Sequence, residues 1–103
     1  MKIWLDDERP IPNGWLGVKT PEMCIAIIEI AFHNGETVEI LSLDHDLGLI
    51  DPDTLQERTG YDVLLWLEKY PKMMPKEVRI HSANPVAQRR MNLALDAIKR
   101  RNK

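Results

Sequence analysis

The chain has 103 residues, the size of a single domain, and 44% of them are hydrophobic, enough to build a core. A formal net charge of −2 offers no global argument for nucleic-acid binding, and the one cysteine, Cys24, excludes an internal disulfide. No signal segment opens the chain, and no apolar run approaches the ~20 residues of a membrane span, so a cytoplasmic domain without membrane attachment is expected.

In chain order, Lys2 to Asp6 reads as a short buried strand, Ile3-Trp4-Leu5, ending in the carboxylates Asp6, Asp7 and Glu8. Pro10, Pro12, Asn13 and Gly14 force a loop, and Trp15 to Lys19 fits a second short strand. Thr20-Pro21-Glu22 is a helix start: a hydroxyl N-cap, proline at the first helical position and a carboxylate in the first turn. That helix is predicted to reach about His33, where Asn34-Gly35 stops it. It is apolar almost all round, with only Glu22, Glu29 and His33 polar, so it is either deeply buried or a contact surface. A homodimer through residues 21–33 is one expectation.

Val38 to Leu43 fits a central strand that again ends in carboxylates, Asp44 and Asp46. Gly48 to Arg58 reads as a loop, with Asp51, Pro52, Asp53 and Thr54 as turn formers. Thr59 to Tyr70 is predicted helical, with Val63, Leu64 and Leu67 on the inner stripe, and Pro71 to Pro75 breaks it. Val78 to Ser82 is a further strand. Asn84-Pro85 caps a last helix in which Ala87, Met91, Ala94, Leu95 and Ile98 keep the 3.6-residue period. Strands alternating with helices imply right-handed crossovers and a parallel sheet covered on both faces. Such sheets bind ligands outside the carboxyl ends of their strands, where this sequence puts its polar clusters.

Asp6 and Asp7 repel each other unless a cation, a proton or solvent intervenes, and a hard divalent ion such as Mg²⁺ takes such oxygens; a solvated turn is the plain alternative. Asp44-His45-Asp46 places three ionisable groups directly after a buried strand, which is costly unless they coordinate or titrate to a purpose. His45 exchanges protons near neutrality. His81 stands at the end of its strand, in reach of a neighbour such as Asp44 or His45. Ser82 offers a hydroxyl to a phosphoryl oxygen, and the amides opening the last helix, next to Asn84, are natural anion donors. Arg89 and Arg90 sit near the positive end of that helix, a conflict that a bound anion would resolve. Thr59-Gly60 offers a hydroxyl and a close-approach glycine, or simply a helix start. The remaining basic cluster is the tail, Lys99 to Lys103.

Trp4-Leu5-Asp6-Asp7-Glu8 resembles the acidic opening of response-regulator receiver domains, Leu41-Ser42-Leu43-Asp44 their phosphoacceptor strand, and Ser82-Ala83 their hydroxyl-alanine pair. That resemblance implies Mg²⁺ on Asp6 and Asp7, with Asp44 as the metal-side carboxylate and Asp46 at the position giving a carbonyl ligand. The last strand-helix unit and its lysine are lacking, the helix after the first strand is reduced to a loop, and His45 and His81 are additions. Trp-Leu-Asp-Asp-Glu-Arg-Pro, Leu-Asp-His-Asp-Leu-Gly, Thr-Gly-Tyr-Asp and His-Ser-Ala-Asn-Pro together resemble the cyclic-phosphate-processing receiver-like family, over nearly the whole chain.

The expectation is therefore one receiver-like α/β domain over 1–103, a small three-layer sandwich with a mainly parallel sheet of three to four strands. It would open the cyclic phosphate of a nucleotide or RNA end, with His45 and His81 as general base and acid. Asp6, Asp7, Asp44 and Asp46 would hold Mg²⁺ or Mn²⁺, or orient the imidazoles if no metal binds, and Ser82, Asn84, Arg89 and Thr59 would bind phosphate. Two rivals stand beside it. One is a non-catalytic metal- or phosphate-binding regulatory module that dimerises. The other makes Asp44 a covalent nucleophile, against which the missing lysine argues.

Overall fold

A computed structural model describes residues 1–50 and 52–101; the expected turn former Asp51 and the end of the basic tail, Lys103, lie outside the described residues. Four strands, β1 (Lys2–Leu5), β2 (Leu16–Val18), β3 (Ile40–Leu43) and β6 (Glu77–Ile80), form an all-parallel sheet in the order β2-β1-β3-β6. A separate antiparallel hairpin pairs β4 (Asp46–Ile50) with β5 (Glu57–Thr59). The helices are α1 (Pro21–His33), α2 (Tyr61–Lys69) and α3 (Pro85–Arg101), with a short 3-10 turn at Pro71–Met73.

The strand order fixes where the helices lie. From β2 to β3 and from β3 to β6 the chain moves the same way across the sheet, so right-handed crossovers put α1 and α2 on one face. α3 packs against α2 and β6 on that same side. Facing them are Ile3, Leu5, Val18, Leu41, Leu43 and Val78, all buried, with Val63, Leu64, Leu67, Met91, Leu95 and Ile98 from the helices. Each fully buried side chain of this kind contributes roughly 1.5–3 kcal/mol.

The step from β1 to β2 runs the other way, so its connection crosses the opposite face. There Ile11 lies against Gly17, which is in register with Trp4, and Trp15 meets the Trp4 ring edge-on at 5.7 Å. The second covering layer expected from the sequence is thus made of loop and aromatic rings. No helix is available to that crossover, because Pro10, Pro12 and Gly14 interrupt it.

Helix starts follow the local chemistry. The Thr20 side chain accepts from the Met23 amide, and the Asn84 carboxamide oxygen accepts from Val86 and Ala87 at 3.1 and 3.2 Å. The expected loop from Gly48 to Arg58 is corrected: its ends are the β4–β5 hairpin. β5 is only Glu57-Arg58-Thr59, too short and polar for an alternation signal, and a register shift between Asp46 and Leu49 breaks the β4 pattern at Gly48, φ +63°. The predicted helix from Thr59 starts two residues later, because Thr59 belongs to β5 and accepts the Tyr61 amide on its hydroxyl. Among the described residues, no helix is long and apolar enough to cross a membrane.

Candidate functional site

Parallel strands deliver their next residues to one rim. Asp6 donates its amide to Val18, Asp44 to Leu5 and His81 to Leu43, extending the ladder one residue past each strand. Asp6 and Asp44 are thereby set side by side at the carboxyl end of the sheet, 5% and 7% exposed. A cleft of about 310 Å³ opens above them. Its walls carry six carboxylates, Asp6, Asp7, Glu8, Asp44, Asp46 and Glu57, together with Gly48 and Ala83. Among the described residues, Arg9 is the one cation lining it.

Asp6, Asp7 and Asp44 each bring an oxygen to within 4.8 Å of the others, and Asp7 Oδ1 is buried with no hydrogen-bond partner. The two central carboxylates are driven in opposite directions. Burial alone would raise Asp6, but amide donation from Glu8 and Arg9 (2.9 and 3.1 Å to Oδ1) and the His81 ring hold it below its ordinary range. Asp44 is raised, first by burial and then by the charge of Asp6. Three oxygen donors under mutual repulsion, one of them unpartnered, fit a hard divalent cation.

Each histidine is bonded to a carboxylate of the cleft, as in the reading where those carboxylates orient the imidazoles, and neither is among the residues lining the cleft. His45 Nδ1 is 2.8 Å from Asp46 Oδ1, and His81 Nε2 is 3.1 Å from Asp6 Oδ2. His81 was expected near Asp44 or His45. Its partners are instead Asp6 and Ser42, whose hydroxyl is 2.6 Å from Nδ1, and its ring stacks on Trp4 at 3.8 Å and 8°. Burial lowers the His81 imidazole more than Asp6 raises it.

The expected phosphate-binding set is also displaced. Ser82, Asn84, Thr59 and Arg89 are not among the cleft's lining residues. The Ser82 hydroxyl accepts the Asn84 amide, and the Asn84 side chain already takes the Val86 and Ala87 amides that an anion would use. Thr59 is 8% exposed, with its hydroxyl taken by Tyr61, and Arg89 lies exposed on α3. Ala83, the neighbour of Ser82, does reach the cleft. Gly60 makes its close approach to the backbone of Asp44 and not to open space.

Sequence reading missed Arg9, Glu57 and Ser42. Arg9 carries a signal, a lone cation following three acids. Ser42 carries none, since a serine inside an apolar strand has no distinguishing neighbour. Glu57 depends on a hairpin that the sequence hides.

Among known proteins, the family model described as the cyclic-phosphate processing receiver domain matches residues 1–97. Searches of the curated proteins and of the solved structures returned no significant match. The acidic rim, the parallel receiver-like sheet and a match over almost the whole length agree: the chain belongs to the cyclic-phosphate processing receiver domain family.

Proposed function

We propose that this domain is a metal-assisted phosphoesterase that opens cyclic phosphates of nucleotides or RNA ends. The observation that carries the reading is the convergence of Asp6, Asp7 and Asp44 in one cleft, beside a single arginine. Six carboxylates around one guanidinium repel any phosphate unless positive charge is added. A divalent ion, Mg²⁺ or Mn²⁺, held by Asp6, Asp7 and Asp44 would supply that charge and polarise a phosphoryl oxygen. Arg9 takes a second phosphoryl oxygen from the wall. Asp46, exposed in the cleft and bonded to His45, accepts the proton of the attacking water as its oxygen bonds to phosphorus; the P–O bond to one ribose oxygen breaks, and that oxygen takes a proton from solvent. A cytoplasmic nucleotide or RNA end is the substrate that goes with this reading.

The test is hydrolysis of a 2′,3′-cyclic nucleotide with Mg²⁺, with Mn²⁺ and with EDTA. Turnover should require the metal and fall by ~10²-fold or more in Asp46→Asn, the scale of one acid-base group. Metal-independent turnover, or full activity in Asp7→Asn, would refute it.

A second reading is favoured by one observation, that among the described residues no imidazole lines the cleft. In it the domain binds metal or phosphate without turnover and dimerises through α1, where Met23, Ile30 and Phe32 are 50%, 61% and 42% exposed. It predicts a saturable ligand signal, no product, and a mass by light scattering that rises with concentration.

A further inference from the structure

β1 and β6 are not neighbours; β3 lies between them, so their ends are roughly 9.5 Å apart at the usual strand spacing. Yet His81, following β6, touches Asp6 and Trp4 of the β1 segment. Its ring crosses β3 above Ser42, whose small side chain leaves the passage open and whose hydroxyl meets Nδ1 at 2.6 Å. Ser42 is 2% exposed, so its hydroxyl serves the interior and not a substrate.

For a neutral ring the donors and acceptors close in only one way. Asp6 Oδ1 takes two backbone amides, as a carboxylate does, and Oδ2 is then an acceptor for the ring. Nε2 therefore carries the imidazole proton, and Nδ1 accepts from the Ser42 hydroxyl. Trp4 stacks flat beneath the ring and prevents it from turning.

We infer that Ser42 and His81 form a buried positioning relay: Ser42 donates to Nδ1 and holds the ring across β3, and the Nε2–H of His81 locks Asp6 in the orientation that meets Asp7 and Asp44. His81 thus acts on the site through Asp6, as a positioning residue and not as an acid or base toward substrate. The metal arm of the test rests on the cation reading above; the tautomer arm does not.

On metal-free protein, at a pH where the ring is neutral, long-range ¹⁵N–¹H correlation of the imidazoles should show His81 protonated at Nε2, with Nδ1 shifted by its hydrogen bond. Ser42→Ala, which keeps the passage but removes the donor to Nδ1, should keep Nε2–H, since Asp6 still accepts, and move the Nδ1 resonance to that of an unbonded nitrogen, in a protein with unchanged circular dichroism. A neutral wild-type ring protonated at Nδ1 overturns the relay, as does an Nδ1 resonance that Ser42→Ala leaves unmoved. In Mn²⁺ titrations followed by EPR of the free ion, Ser42→Ala and His81→Ala should weaken binding by about 10–100-fold, the usual effect of losing a partner behind a metal ligand. His81→Gln, which returns an N–H to Asp6, should recover most of that loss. Equal Mn²⁺ affinity in wild type and His81→Ala overturns the relay. A wild-type protein that binds no Mn²⁺ overturns the cation reading and leaves the tautomer result to judge the relay.

Discussion

Gly60→Ala sets two effects against each other, and their sizes decide the outcome. Gly60 opens α2 with φ −60° and ψ −21°, ordinary right-handed backbone. On conformation alone, alanine would stabilise by about 0.4–1 kcal/mol, because it restricts the unfolded chain. Space reverses the sign. A Cβ at this position runs into the Asp44 carbonyl oxygen, with the carbonyl carbon at 3.0 Å and Met91 Cε at 3.2 Å. Met91 can give way, but the carbonyl is main chain at the end of β3 and cannot. Overpacking against fixed atoms costs about 1–3 kcal/mol, so the net is a loss centred on about 1.3 kcal/mol within a span of about 0–2.6. For a domain of this size the central value lowers Tm by roughly 5–10 °C. Gly17→Ala is the control: the atoms nearest its Cβ all belong to the Ile11 side chain, which is 54% exposed and free to swing away. Thermal unfolding followed by circular dichroism measures both. A Gly60→Ala melting point equal to or above wild type, or an equal fall in Gly17→Ala, would refute the reasoning.

Asp44 is held above its ordinary range by burial and by Asp6, so its ionised form costs stability at neutral pH. In EDTA, Asp44→Asn should therefore stabilise by roughly 0.5–2 kcal/mol, the scale of relieving a strained site. That gain should shrink as the pH falls through the raised Asp44 titration, where the wild-type group is neutral too; urea unfolding at several pH values checks it. Asn84→Ala removes the acceptor for two α3 amides and should cost about 1 kcal/mol by the same assay. Cys24 is fully buried, with burial pushing its thiol up to about 12. It should react with a thiol reagent at pH 8 only as fast as the protein unfolds, and immediate labelling would contradict its placement.

The sequence carried the parallel strands, the three helices and the N-caps of α1 and α3, because each depends on neighbours a few residues away. Thr20 and Asn84 cap from their own loops, and the stripes Val63-Leu64-Leu67 and Ala87-Met91-Leu95-Ile98 follow one helical period. The acidic rim was legible for the same reason: a buried strand followed at once by carboxylates announces its own carboxyl end. The hairpin was not, since a three-residue polar strand has no pattern until its partner lies beside it.

Local chemistry thus settled the strands of the parallel sheet, the three helices and which carboxylates stand at the strand ends. What His81 touches was settled only by strand order. β3 between β1 and β6 makes Ser42 a crossing point, and the ring that spans it pairs with Asp6, a residue 75 positions away. Hydrogen bonds between side chains depend on distances of tenths of an ångström across the sheet, and such distances exist only once the chain has closed on itself.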